Sequence, residues 1–234
     1  MPRIPILLGM LTIAVSSLVV AGESYRERRM QMVTEQIAAR GVEDQTVLRA
    51  MRTVQRHHFV PEPLRDQAYT DRPLPIGREQ TISQPYIVAF MTEALDLGPH
   101  HRVYELGTGS GYQAAVLAEI VEEVYTVEIV SELARRARTT LQELGYDDVH
   151  VRAGDGWAGW PEAAPFDRII VTAAAPELPQ TLLDQLVAGG KMILPLGPDG
   201  GAQELILVEK TEDGRVKTRE LLPVRFVPVT RDPR

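Results

Sequence analysis

The 234-residue chain has no cysteine, so it holds no thiolate metal site and no disulfide framework. Its five histidines do not fill the gap. His57 and His58 are adjacent, but no second pair at ligand spacing completes a metal set, and no metal is expected. His100 and His101 follow Gly98-Pro99 and read as solvated loop residues. Positive charge is also in short supply: 25 Lys and Arg stand against 32 Asp and Glu, for a net charge of −7. That balance removes the electrostatic footprint of a nucleic-acid binder. Aromatics make up only 6%, with two tryptophans, Trp157 and Trp160, that read as core packing. There is no low-complexity linker. No Ser/His/Asp arrangement for nucleophilic catalysis stands out. A hydrophobic fraction of 44% is ordinary for a single globular core.

Against these absences, glycine is placed with purpose. Residues 102–111 run Arg-Val-Tyr-Glu-Leu-Gly-Thr-Gly-Ser-Gly, an apolar stretch closed by an acid and then a glycine at every second position. The segment Tyr112–Val121 reads as a helix. Strand, glycine turn and helix in that order form a nucleotide-binding unit. Its glycines keep the turn tight and let a ligand reach the backbone. A dinucleotide fold uses G-x-G-x-x-G, which seats a pyrophosphate on the helix N-terminus. Here the spacing is G-x-G-x-G, preceded by Glu105, whose carboxylate repels a pyrophosphate and suits a ligand carrying an amino group. The segment resembles motif I of class I S-adenosyl-L-methionine (SAM) methyltransferases. That resemblance assigns Glu105, Gly107, Thr108, Gly109, Ser110 and Gly111 to the cofactor.

The downstream chain repeats the plan. Val124–Val127 is a strand ending at Glu128, an acid placed for ribose hydroxyls or, more simply, for the start of the next helix. Ser131–Leu144 is helical in pattern, with Gly145 as its C-cap. Val149–Arg152 alternates as a strand and runs into Gly154-Asp155-Gly156. Asp155 and Gly156 there are either a plain turn or the place where an adenine amino group is met. Asp167–Thr172 is a strand covered on both faces. Leu178–Val187 reads as a helix, Lys191–Leu196 as a strand, and Glu204–Lys210 with Val216–Leu222 as a hairpin about Asp213-Gly214. Five βα repeats and a hairpin imply an α/β fold: a doubly wound, Rossmann-like sheet of seven strands, one of them antiparallel.

Before this core stands Thr81-Ile82-Ser83-Gln84-Pro85. With His58–Pro61, Tyr69–Asp71, Gly154–Trp157, Phe166–Ala174 and Arg225–Pro228, it resembles the protein-L-isoaspartate O-methyltransferases over residues 27–229. The resemblance implies methyl transfer from SAM to the free α-carboxylate of isoaspartyl residues in damaged proteins. The ester then closes to a succinimide, part of which reopens to aspartate. It also implies that Ser83 is the active-site serine and that Thr81, Ile82 and Gln84 bind substrate. Such a carboxyl has a pKa of about 3.3–3.7 and is already ionised at neutral pH, so no general base is needed. Positioning and exclusion of water carry the chemistry. Gln84–Leu97 is expected to be a helix with Pro85 in its first turn and Ser83 at or near its N-cap. One departure is Gly77-Arg78-Glu79-Gln80, where the family has a glycine-rich approach; its charges are expected to flank the substrate entrance. A methyltransferase for another carboxylate or a small molecule, and an inactive SAM-binding protein, are the alternatives.

Three regions are expected: residues 1–22 as a signal peptide or membrane anchor, 23–98 as a helical extension carrying the Thr-Ile-Ser segment, and 99–230 as the SAM-binding core. Residues 4–21 are apolar apart from Thr12, Ser16 and Ser17, with Arg3 before them and Ala21-Gly22 after. Cleavage near Ala21 implies export. Retention implies an anchor, and Arg26, Arg28 and Arg29 then keep the domain cytoplasmic. Cofactor supply and the family resemblance favour the cytoplasm, and membrane contact is expected only through residues 4–21. Those arginines, interleaved with Glu23 and Glu27, read as one solvated helix face.

Overall fold

A computed structural model describes residues 25–198 and 201–229; the leader expected at residues 1–22 lies outside them. The described residues open with helix α1 (residues 25–31), which continues as a π-helical turn (Met32–Ile37) and a 3-10 turn (Ala38–Arg40). Helix α2 (Gln45–Thr53) starts at Asp44, whose carboxylate accepts from Thr46 N at 2.7 Å and Val47 N at 3.2 Å, satisfying two donors that the first turn leaves free. After further 3-10 turns come a short antiparallel hairpin, β1 (Leu74–Gly77) and β2 (Gln80–Ile82), and helix α3 (Pro85–Ala94).

The core alternates β3 (Arg102–Leu106), α4 (Tyr112–Ala118), β4 (Glu123–Glu128), α5 (Ser131–Glu143), β5 (Val149–Ala153), β6 (Phe166–Val171), α6 (Gln180–Asp184) and β7 (Leu186–Leu196). A hairpin of β8 (Gln203–Lys210) and β9 (Val216–Val224) follows. The seven strands lie in the order β5-β4-β3-β6-β7-β8-β9. Strand β8 runs antiparallel to both neighbours, while β3 to β7 are parallel. The expected mixed sheet is therefore present. β3 sits between β4 and β6, so the chain reverses direction across the sheet at the carboxyl end of β3, where such folds open a crevice.

One local expectation fails for an identifiable reason. The helix expected over Leu178–Val187 shrinks to α6, because Pro179 occupies its N-cap and Leu186 is drawn into the sheet opposite Phe166. After β5 there is no full helix, only a 3-10 turn (Gly156–Ala158). The arginine-rich face of α1 is also not wholly solvated. Arg29 is part-buried, donating from Nε to Arg52 O at 2.6 Å and from Nη1 to the Tyr69 hydroxyl at 3.3 Å. His57 stacks on Tyr25 with centroids 4.2 Å apart and hydrogen-bonds the Tyr69 hydroxyl at 2.8 Å.

One continuous apolar cluster joins Met32, Val33, Ile37, Val47 and Met51 of the N-terminal helices to Val103, Val116, Leu117 and Ile170 of the sheet and its α4 layer. The opposite sheet face packs Tyr104, Phe166, Ile169, Leu182 and Met192. The helical extension thus covers one face of the sheet and brings the Thr81–Gln84 segment over the crevice at β3. Among the described residues, no helix is long and apolar enough to cross a membrane.

Candidate active site

The carboxyl ends of β3, β4, β5 and β6 converge on a cleft of about 810 Å³, counting its open mouth. It is lined by Glu105, Gly107, Thr108, Gly109 and Ser110 from the β3–α4 turn, Glu128 from β4, and Asp155 and Gly156 after β5. Thr81, Ile82 and Ser83 close it from the β2 side. Two of the expected residues are not on its wall. Gly111 sits beneath the loop at a φ of +89° as the N-cap of α4, with Leu141 and Ala137 packed where a side chain would go. Gln84 lines a neighbouring cavity together with Thr81, Ser83, Ile87 and Arg225.

Sterics explain the first glycine. Gly107 has a φ of +99°, and a Cβ there would lie 2.5 Å from Thr172 Oγ1. Thr172 in turn donates to Gly107 O at 2.7 Å, and Gly107 N donates to Val127 O at 2.9 Å. The turn is therefore stitched to both β4 and the end of β6, and only glycine fits its first corner.

The two acids behave differently. Glu105 is fully buried. Its Oε2 accepts from Thr126 Oγ1 at 2.5 Å, and Thr126 Oγ1 lies 2.6 Å from Thr108 Oγ1. Its Oε1 has no hydrogen-bond partner. Burial pushes the Glu105 carboxyl up to about 8; the Thr126 hydrogen bond opposes that rise, and the nearby Glu128 charge adds to it. Glu128 accepts from Gly109 N at 2.8 Å and from Val130 N at 2.9 Å, so it ties the glycine turn to the start of α5. Burial raises its carboxyl too, with those backbone donors opposing. Glu128 thus serves a helix start and also borders the cleft. Asp155 accepts from Trp157 N at 2.9 Å and caps the 3-10 turn. Trp157 packs against the core, as expected, and also borders the cleft beside it.

Glu105 carries a pH consequence. Its folded carboxyl lies above the ordinary 4.5, so the folded protein binds that proton more tightly than the unfolded chain. The stability it contributes is complete below about 4.5 and is lost as pH rises towards 8. Glu105→Gln removes this term. The melting temperature of the ligand-free variant, less that of the wild type, is expected to increase between pH 5 and pH 8. A constant difference across that range would contradict the assignment.

Ser83 is not the helix cap. Helix α3 takes Gln84 as its N-cap, without a side-chain capping bond, and begins at Pro85. Pro85 has no N–H to cap, and its fixed φ starts the helix one residue after the expected place. Among the described residues the Ser83 hydroxyl has no hydrogen-bond partner, and Ser83 lines both the cleft and the neighbouring cavity. The Gln84 side chain donates to Asp71 Oδ2 at 2.8 Å, where Arg40 also donates at 2.7 Å. Arg78 and Glu79 form the β1–β2 turn with φ of 54° and 58°. Arg78 pairs with Glu132 on α5, beside a third cavity lined by Val130 and Ser131, rather than standing at the Ser83 cavity.

Thr126 and Thr172 escape a reading of the sequence alone. Thr126 looks like an ordinary β-branched strand residue. Its role follows from lying opposite Glu105 in the parallel register of β3 and β4, which no local pattern specifies. Among the described residues no cluster of His, Asp and Glu is arranged to hold a metal.

The family described as protein-L-isoaspartate(D-aspartate) O-methyltransferase matches residues 27–233. The chain belongs to that family. A protein-L-isoaspartate O-methyltransferase of Opitutus terrae is 57% identical over 204 residues, covering 87% of each chain. Another, of Gloeobacter violaceus, is 58% identical over 201 residues, covering 86% of this chain and 98% of its own. Among solved structures, a protein-L-isoaspartate O-methyltransferase superposes with a TM-score of 0.77 at 30% identity, over 88% of this chain and 66% of that one. A Plasmodium falciparum protein titled a putative member, in complex with S-adenosyl-L-homocysteine, gives 0.75 at 26% identity, over 87% of this chain and 99% of its own. Members of the family use SAM as methyl donor, and the cleft fits that ligand on its own terms. A buried oxygen of Glu105 has no protein partner, and the glycine turn lines the cleft beside it.

Proposed function

We infer that the protein transfers a methyl group from SAM to the free α-carboxylate of L-isoaspartyl residues in damaged proteins and peptides, which starts their repair through a succinimide. The observation that carries this reading is the position of Ser83. It lies on the shared wall of two cavities, one lined by the glycine turn and acids and the other by Thr81, Gln84, Ile87 and Arg225. The cofactor supplies a methyl group activated by a sulfonium charge.

The chain's own residues then hold and align. Glu105, through its free Oε1, receives the cofactor's amino group. Gly107, Thr108, Gly109 and Ser110 let the cofactor lie against the backbone, with Gly111 supporting the turn from below. Glu128 accepts from ribose hydroxyls while it retains its two backbone donors, and Asp155 with Gly156 meets the adenine. On the other side Ser83 donates to the substrate carboxylate, which needs no base because it is ionised at neutral pH. Thr81 and Ile82 line the approach, and Gln84 contributes its backbone, since its side chain is committed to Asp71. In-line alignment and exclusion of water are what such a site adds.

The test is methyl transfer from labelled SAM to paired peptides that differ only in an isoaspartyl or aspartyl linkage. The expected result is labelling of the isoaspartyl peptide alone, with the label released as methanol when the ester closes. Equal labelling of both, or faster labelling of small carboxylic acids, would contradict it. The protein acts where SAM is made, on the cytoplasmic side, tethered if residues 4–21 are retained. Fractionation with N-terminal sequencing checks this, and a mature protein that begins after Ala21 in an exported fraction would contradict it.

A further inference from the structure

The cleft and its neighbour pose an electrostatic problem. The substrate group is an anion, yet the cleft wall carries no lysine, arginine or histidine, and beside the largely protonated Glu105 it carries the acids Glu128 and Asp155. The neighbouring cavity carries only Arg225. The nearest cation behind Ser83 is Arg56, which is fully buried. Its Nη2 donates to Ser83 O at 2.8 Å and its Nε to Ala68 O at 2.7 Å. Its guanidinium carbon lies 4.7 Å from the ring centroid of Tyr112, the first residue of the helix that follows the glycine turn. Among the described residues no carboxylate lies within ion-pair distance of it, although the Asp71 charge is near enough to raise its pKa. Burial lowers its pKa to about 10, so it is charged at neutral pH. A buried guanidinium without a carboxylate in direct contact is costly to a fold, and cavity-filling apolar residues pack such a place more cheaply.

Peptide geometry says what that charge does. The Ser83–Gln84 bond is trans and planar, so its C=O and N–H point to opposite sides. Arg56 draws the C=O inward. The Gln84 N–H is thereby turned away from the buried guanidinium, and Ser83 and Gln84 both line the neighbouring cavity. Among the described residues that N–H has no acceptor. A carbonyl hydrogen-bonded to a cation polarises its own peptide unit and makes the attached N–H a stronger donor. We propose that Arg56 is a positioning residue for the transfer, holding the Ser83 carbonyl so that the Gln84 N–H and the Ser83 hydroxyl together receive the substrate carboxylate. Arg56 touches neither ligand. It acts through one peptide unit, and its contacts to Ala68 and Tyr112 keep that unit in register with the cofactor turn. The proposal rests on an isoaspartyl carboxylate being the methyl acceptor.

The experiment compares two peptides, the isoaspartyl form and its neutral α-carboxamide counterpart, binding to full-length protein saturated with S-adenosylhomocysteine. Calorimetry gives both affinities for the wild type, Arg56→Lys and Arg56→Met. Lysine keeps the buried charge but has one donor centre to serve carbonyls on two segments. The expected result is a carboxylate-over-carboxamide preference reduced about tenfold in Arg56→Lys and more in Arg56→Met. Peptide KM should rise, and S-adenosylhomocysteine affinity should stay within about twofold of wild type. A purely structural role would weaken both peptides alike, together with the cofactor product, and an unchanged preference overturns the proposal. Should Arg56→Met not fold, Arg56→Lys decides alone. A wild type that methylates no isoaspartyl peptide would sink the function proposed above; a wild type that does, with the preference intact in Arg56→Lys, would sink only this inference.

Discussion

Gly107→Ala is expected to weaken S-adenosylhomocysteine binding by about 10²-fold or more. Two independent costs add. The backbone at φ +99° is a conformation that an L side chain adopts only with strain, of order 1–3 kcal/mol. The new Cβ would also lie 2.5 Å from Thr172 Oγ1, so Thr172 must turn away and give up its bonds to Leu106 O and Gly107 O. Losing one such bond costs about 1 kcal/mol. About 2.7 kcal/mol corresponds to two decades of affinity. The loss falls on binding because the strained corner lies between two elements that hold the ligand, the free Glu105 oxygen and the Gly109 N–H clamped by Glu128. Titration calorimetry measures it. Gly214→Ala is the control: it shares the positive φ, meets no neighbour within 4 Å and lies at the hairpin tip, so it should leave the affinity unchanged. Wild-type affinity in Gly107→Ala would remove the steric argument.

Ser83→Ala is expected to lower kcat by about 10²-fold, the scale of losing one oriented donor in an active site. Cofactor-product affinity should stay within about twofold, because the contacts of Ser83 to the rest of the protein run through its backbone. Arg56 holds its carbonyl, and helix α3 is capped at Gln84, not at Ser83. For the same reason the melting temperature should barely move. A serine that acted only as a helix cap would give the reverse pattern, with lower stability and unchanged turnover. Steady-state kinetics on an isoaspartyl peptide, with thermal denaturation alongside, separates the two.

Much of this architecture is legible in the order of residues. The G-x-G-x-G spacing after Glu105, the acids closing the next two strands and the Asp213-Gly214 hairpin each carry a local signature of backbone geometry, and each lands where that geometry demands. What escapes is set by long-range packing. The shortness of α6 depends on Leu186 finding Phe166 across the sheet, a contact that its helical periodicity cannot announce. Thr126 matters because β3 and β4 pair in one register, and Thr172 because β6 ends beside Gly107. Arg56, in a run that looks like any basic loop, becomes a buried cation only once Ala68, Ser83 and Tyr112 close around it. His57 is drawn inward by the same closure, against Tyr25 and Tyr69, and burial lowers its pKa to about 4.

The most direct measurement is a crystal structure of the protein with S-adenosylhomocysteine and an isoaspartyl peptide. The donor product should lie along the glycine turn with its amino group on Glu105 Oε1 and its adenine beside Asp155. The peptide carboxylate should sit at the Ser83 hydroxyl, facing the sulfur. A ligand bound elsewhere, or a peptide carboxylate far from Ser83, would contradict the account.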